Sequence, residues 1–234
     1  MGSLIGLISD AHGNSLAFER AVSILIKEGV EKIFFLGDAV GYIPNTTVLN
    51  SLEALGNRVQ CIKGNHEVML LEKQCDPVRE EIYKFETIRK NLTSQQIDML
   101  SSWPTFLIEK IGGKKVLLVH GSPSDPTYGY VYPDTVLTQY TPDADWVFMG
   151  NTHYPFIREC GATKYVNIGS CGMPRDDGRF GSATIFNYKK NIVRVLRFDI
   201  TTETKTILKQ YPNTHNTVKN VFERRCSKIV GTIL

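Results

Sequence analysis

Leu4-Ile5-Gly6-Leu7-Ile8-Ser9-Asp10-Ala11-His12-Gly13-Asn14 is a five-residue apolar run that breaks into a polar turn. An apolar run this short, without polar alternation, suits a strand buried on both faces. Ser15–Gly29 follows with Ala17, Ala21, Val22, Leu25 and Ile26 at helical spacing, and Gly29 stops the helix. Ile33-Phe34-Phe35-Leu36 predicts a second buried strand, ending at Gly37-Asp38. A helix is expected over about Thr46–Leu55, and Arg58–Ile62 predicts a third strand, ending at Gly64-Asn65-His66. This β-α-β-α-β order implies an α/β fold with a parallel sheet and right-handed crossovers.

Residues 67–102 are polar, with Leu, Ile and Phe at helical spacing, and predict two or three helices. The last opens at Thr93 or Ser94 and stops before Pro104. Phe106–Ile111 and Lys115–Val119 flank Gly112-Gly113, a hairpin signal. The second of these strands ends at His120-Gly121, and Trp146–Met149 is a further strand ending at Gly150-Asn151-Thr152-His153. Phe156–Glu159, Lys164–Ile168, Ala183–Tyr188 and Ile192–Phe198 make the second half antiparallel-rich. Helices are expected near Thr201–Lys209 and Asn216–Ile229. The latter would place Val218, Val221, Phe222, Cys226, Ile229 and Val230 on one face against the body. The chain thus reads as one main domain over residues 1–210 and a C-terminal helical extension over 211–234.

The 234 residues are 42% hydrophobic and 22% charged, ordinary globular usage that argues against disorder. No apolar run has the length of a membrane span, and Leu4–Ile8 is too short for a signal-peptide core. Five widely spaced cysteines without a CxxC argue against a disulfide framework or a structural zinc site. The expected location is cytoplasmic. The net charge is +3, but residues 201–234 carry six Lys/Arg against two Asp/Glu, leaving residues 1–200 at −1. A nucleic-acid binder would carry a stronger basic footprint.

Five strand ends deliver similar side chains: Asp10 and His12, Asp38, Asn65 and His66, His120, and Asn151 and His153. In α/β sheets, sites form where loops leave the carboxyl ends of strands. Imidazole, carboxylate and amide groups converging there suit borderline divalent metals. Each segment alone could be a helix cap or a turn; Ser9, Asp10 or Asn14 could each cap the first helix. Five such coincidences at five strand ends argue for one site.

These stretches, together with Gly41-Tyr42 and Asn167-Ile168-Gly169-Ser170-Cys171-Gly172-Met173-Pro174-Arg175-Asp176, resemble the ordered motifs of the calcineurin-like metallophosphoesterase superfamily, within it the short bacterial and archaeal phosphoesterases. The resemblance covers about residues 4–200. It implies a sandwich of two mixed β-sheets flanked by helices, carrying two divalent ions (Mn, Fe, Zn, Ni or Mg, with Mn the natural choice in vitro). It places Asp10, His12 and His153 on the first ion, Asn65, His120 and position 151 on the second, and Asp38 as the bridge. Such a pair lowers the pKa of a bridging water for in-line attack on phosphorus and neutralises the phosphoryl oxygens. His66 would orient the phosphate or protonate the leaving oxygen.

The chain departs from the family at one position. Gly150-Asn151-Thr152-His153 stands where Gly-His-x-His is usual, and an amide is a weaker donor than imidazole for borderline metals. Asn151 therefore reads as a ligand, as a position where water substitutes, or as the mark of a partly filled second site. Arg175 suits bidentate phosphate recognition. Tyr42 stands where protein Ser/Thr phosphatases carry a phosphate-contacting Arg, and Gly41 replaces their Asp, which argues against a protein phosphatase. Tyr128, Tyr130 and Tyr132 could stack on a base or simply pack. Glu67 reads as a helix-start charge and His215 as a surface residue. The expected function is a phosphoesterase acting on a small phosphomonoester or phosphodiester, nucleotides among the candidates. The competing reading is a catalytically weak metal-binding scaffold of the same fold.

Overall fold

Leu7 and Ile8 are neighbours on β1 (Leu4–Ile8) and point to opposite faces, yet both are buried. Leu7 packs with Phe34, Trp146, Phe148 and Phe186, whereas Ile8 packs with Phe18, Ala21, Phe35 and Leu49. The continuous apolar run is thus explained by two apolar surroundings, one on each side of the strand.

The computed structural model describes residues 3–234. The first sheet holds β1, β2 (Lys32–Phe35), β3 (Val59–Cys61), β9 (Phe180–Asn187), β10 (Ile192–Asp199) and β11 (Thr232–Ile233), in the order β11-β10-β9-β1-β2-β3. β1, β2 and β3 run parallel, and β9 pairs antiparallel with both β1 and β10. The second sheet orders β4 (Phe106–Ile111), β5 (Lys114–Val119), β6 (Trp146–Met149), β8 (Thr163–Asn167) and β7 (Phe156–Cys160). β5, β6 and β8 run parallel there, with antiparallel β4 and β7 at the edges. Both sheets are mixed. Leu7, Phe34 and Phe186 of the first meet Val116, Leu118, Phe148 and Val166 of the second in a shared apolar layer.

Helices cover the outer face of the first sheet. α1 (Ser15–Lys27) buries Ala17, Phe18, Ala21 and Leu25, with Asn14 as the N-cap accepting the Ala17 N–H at 3.3 Å. α2 (Thr47–Leu55) adds Val48, Leu49 and Leu52. Residues 65–102 form four helices rather than two or three: α3 (Asn65–Glu72), α4 (Pro77–Tyr83), α5 (Phe85–Asn91) and α6 (Ser94–Ser102). Lys73 and Lys84 adopt left-handed backbone at φ 55° and 61°, ending α3 and separating α4 from α5. Thr93 caps α6 through a reciprocal exchange with Gln96.

The C-terminal helix is also shorter than its pattern. After α7 (Thr201–Gln210), α8 (Asn216–Val221) buries Val218 and Val221, and Phe222 follows them into the core. Cys226, Ile229 and Val230 do not lie on that helix. Gly178 donates to Arg224 O at 3.0 Å and Cys226 to the Asp177 carboxylate at 3.3 Å, which draws the chain out along residues 176–178. It ends as β11, parallel to β10, an element the sequence pattern did not predict.

Candidate metal centre

The loops that leave β1, β2 and β6 turn by the same device. Asp10 (φ 57°), His12 (47°), Asp38 (60°), Asn151 (62°) and His153 (62°) all adopt left-handed backbone. Among non-glycine residues Asn, Asp and His populate this region most readily, and such strain concentrates at functional sites. The loops are stitched together by backbone bonds, Asp10 to Gly37 O and His12 to Asp38 O, both 3.0 Å, and Gly150 to His120 O at 2.9 Å.

The side chains meet in the interior. His12, His120 and His153 each donate Nδ1–H to a carbonyl: Val40 O at 3.1 Å, Leu36 O at 2.7 Å and Met173 O at 2.6 Å. The Nε2 atom of each ring faces the centre. His12 Nε2 and His153 Nε2 are 3.1 Å apart. Asp10 Oδ1 lies 3.1 Å from His153 Nε2 and 3.9 Å from His120 Nε2, and Asp38 Oδ2 lies 3.5 Å from His12 Nε2 and 3.3 Å from His120 Nε2. Asn65 Oδ1 is 3.0 Å from His120 Nε2. Asp10, His12, Asp38, His120 and His153 are at most 1% exposed. Asp10 Oδ1 is buried with no hydrogen-bond partner. Acceptor atoms crowded at this spacing, one of them orphaned, fit a divalent cation between them. The carboxylates are held ionised: burial opposes this, but His153 and His120 outweigh it at Asp10, and His120 and His66 at Asp38. Burial pushes His153 down to about 4. It would lower His120 too, but Asp38 and Asp10 raise that ring to about 10.

Among the described residues three metal-competent groupings arise: Asp10–His12–His153, Asp10–Asp38–His120 and His12–Asp38–His66. Asp10 and Asp38 each belong to two of them. The resemblance implies Asp38 as the link, and the geometry brings Asp10 Oδ1 to face the same two rings, His12 and His120. Asn151 lies beside them. Its backbone N–H reaches Asp10 Oδ2 at 3.2 Å and its amide donates to Gly129 O at 2.9 Å, so only Oδ1 remains as a ligand atom.

His66 sits against an aromatic wall, its ring 4.7 Å from both Tyr42 and His12 and 4.6 Å from Tyr83. Burial pushes it down to about 3, so the ring is neutral near pH 7. Gly41 is required beneath it: φ is +95°, and a Cβ there would stand 2.0 Å from His66 Nδ1. Arg175 donates to Tyr42 Oη at 3.0 Å, so these two predicted substrate contacts form one unit. Tyr128, Tyr130 and Tyr132 are exposed, with the last two stacked at 6.1 Å. His215 is remote from the centre and caps α8 by accepting the Thr217 N–H.

Sequence reasoning missed the groups that hold these loops. Glu67, fully buried, accepts N–H bonds from Asp38 and Gly64 on one oxygen and from Ala39 and Val40 on the other, at 2.7–3.3 Å. It therefore ties the loop after β2 to the loop after β3. Burial and the Asp38 carboxylate push it up to about 7, against four donors that favour its ionised form. The signal was an acidic residue three positions after Gly64 at a helix start. Asn167 donates to Gly150 O and Thr152 Oγ1, and Ser170 to Asp10 O, so the 167–173 stretch backs the site.

A family model described as the calcineurin-like phosphoesterase superfamily domain matches residues 4–191. The chain belongs to this superfamily. An uncharacterised protein of Methanocaldococcus jannaschii is 31% identical over 233 residues, spanning 88% of this chain and 93% of that protein. A probable metallophosphoesterase of Methanothermobacter thermautotrophicus is 32% identical over 179 residues, 74% of this chain and 79% of that one. The crystal structure of a metallophosphoesterase from Sphaerobacter thermophilus superposes with a TM-score of 0.78 at 23% identity, covering 94% of this chain and 98% of that one. The calcineurin-like fold, two mixed sheets flanked by helices, is the one expected from the motifs. No helix among the described residues is long and apolar enough to cross a membrane.

Proposed function

We propose that this superfamily member is a cytoplasmic phosphoesterase that holds two divalent ions and hydrolyses a small phosphomonoester or phosphodiester, nucleotides included. The observation that carries the reading is the pairing of His12 Nε2 with His153 Nε2 at 3.1 Å beside the orphaned Asp10 Oδ1. Asp10, His12 and His153 would hold one ion. His120, Asn65 and Asn151 would hold the other, with Asp38 and Asp10 Oδ1 between the two. When bound, such ions supply an acidified water and charge neutralisation at phosphorus.

The chain's own residues do the rest. The Nδ1–H bonds to carbonyls fix each imidazole's tautomer and aim, as supporting groups at metal sites generally do. His66, neutral and wedged against Gly41 and Tyr83, is placed to donate a hydrogen bond to a phosphoryl oxygen. Arg175, oriented by Tyr42 Oη, offers a planar guanidinium to the same group. The −1 charge of residues 1–200 disfavours a nucleic-acid substrate.

The test is turnover of p-nitrophenyl phosphate and bis-p-nitrophenyl phosphate with Mn²⁺, against an Asp38→Asn control. Mn-dependent hydrolysis lost in the control supports the enzyme. The second reading, a metal-binding scaffold, draws on the Asn151 amide being tied to Gly129 O. It would be favoured by tight metal retention without turnover on these esters or on a nucleotide panel.

A further inference from the structure

The basic tail returns to the metal centre. An open cavity of about 610 Å³ lies between the loop after His153 and the C-terminal segment, with Arg175, Arg224, Arg225, Lys228, Tyr154 and Asp176 on its walls. That volume is within the range of small-molecule sites. The segment is held there, because Arg224 O accepts from Gly178 at 3.0 Å and the Cys226 N–H reaches Asp177 at 3.3 Å. Arg224 itself donates to Tyr154 Oη and Arg175 O, both at 3.4 Å.

The charges in this cavity are uncompensated. Arg225 donates only to the Phe222 and Arg224 carbonyls. Among the described residues, Arg224, Arg225 and Lys228 form no ion pair. The one acid on the wall, Asp176, is neutralised by buried Arg197 through two bonds of 2.6 and 2.9 Å. Arg175 links the cavity to the centre: its guanidinium reaches Tyr42 Oη, and its N–H meets His153 O at 3.4 Å. Four basic residues line one open cavity without an acidic partner of their own among the described residues, and one of them, Arg175, also reaches Tyr42 beside the candidate metal centre, an arrangement that suits an anionic group.

We infer that this cavity is a subsite for a second phosphate group, so that the substrate is a small molecule carrying phosphate beyond the one that is cleaved. The inference rests on the phosphoesterase reading of the centre for its link to catalysis, but the anion subsite itself can be tested without turnover. Arg224 and Arg225 supply planar donors and Lys228 a mobile point charge. Tyr154 continues the aromatic edge formed with Tyr132, at 6.1 Å between rings.

The test uses the full chain, stripped of metal with EDTA, titrated calorimetrically with inorganic tripolyphosphate. The expected result is one binding event per chain, weakened at least tenfold in Arg224→Ala/Arg225→Ala/Lys228→Ala. A control of equal charge loss elsewhere, Lys27→Ala/Lys110→Ala/Lys209→Ala, should bind as the wild type does. Circular dichroism establishes that both variants are folded. In the Mn-loaded protein, the tail variant should raise KM for adenosine 3′,5′-bisphosphate about tenfold more than for 5′-AMP. Equal tripolyphosphate binding by wild type and tail variant, or equal loss in the control, overturns the subsite. Selective tripolyphosphate binding with no Mn-dependent turnover of p-nitrophenyl phosphate, bis-p-nitrophenyl phosphate or a nucleotide panel leaves the subsite standing and overturns the phosphoesterase reading instead.

Discussion

His12 Nε2 and His153 Nε2 face each other at 3.1 Å while the Nδ1 atom of each ring is committed to a backbone carbonyl. With each Nδ1–H given to a carbonyl, the two Nε2 atoms meet as acceptors. The contact is repulsive until a cation stands between them, and the carbonyls of Val40 and Met173 prevent either ring from turning away.

Metal should therefore stabilise the fold. At Mn²⁺ about a hundredfold above its dissociation constant, stabilisation is ~2.7 kcal/mol. For a chain of 234 residues that corresponds to a rise of roughly 5–10 °C in Tm. Differential scanning calorimetry with and without EDTA measures it. Asp38→Asn should lose most of that rise and reduce Mn-dependent hydrolysis on the order of 10²–10³-fold.

Glu67→Gln replaces one acceptor oxygen by an NH₂ group facing backbone N–H donors. At least one pair of the four bonds is lost, and each buried donor left unpaired costs about 1–3 kcal/mol. Chemical denaturation should show a loss of ~2–4 kcal/mol. Mn²⁺ affinity should fall roughly 10–100-fold, the usual effect of removing a group that orients metal ligands.

Asn151→His should strengthen retention of the second ion, because imidazole is the better donor for borderline metals and His tolerates the φ of 62° at this position. Metal analysis after dialysis should find the second ion held at least tenfold more tightly. Equal retention by the two forms would show that the Asn151 amide already serves fully.

Gly41→Ala places a methyl group where His66 Nδ1 now lies, on backbone that disfavours side chains. The ring must shift, while the ligand carboxylates keep their own supports. The variant should retain its metal content and lose about 10²-fold in kcat.

Acid should loosen the C-terminal segment through Asp177. Hydrogen bonds from Arg179, and a further one from the Cys226 N–H, hold its carboxyl at about 2, below the ordinary 3.8. A depressed carboxylate stabilises the fold above its unfolded pKa and loses that contribution as pH falls from about 4 to about 2. Tm measured from pH 5 to pH 2.5 should fall more steeply in the wild type than in Asp177→Asn, and the two curves should converge at the acid end.

The buried strands β1, β2 and β6 were legible because their apolar runs are short and uninterrupted, and the site because His120 follows such a run directly and Asp10, Asp38 and His153 lie within a short polar turn of one. Helix lengths were less legible. The spacing gives two or three helices over residues 67–102; left-handed backbone at Lys73 and Lys84, with the Asp76 cap and Pro77 opening α4, divides the segment further. The C-terminal pattern through Val230 is helical on paper. It gives way at Val221 because Asp177 and Gly178 compete for the backbone that a longer helix would use.

The sequence by itself determined the residue types at the centre and their place at strand ends, since period and punctuation are local properties. Only the tertiary structure decided that Asp10 Oδ1, like Asp38 Oδ2, faces both His12 and His120. Packing alone likewise made Glu67 a clasp between two loops and brought Arg224, Arg225 and Lys228 beside Arg175. These relations join positions far apart in the chain, and no local pattern encodes a contact that packing must create.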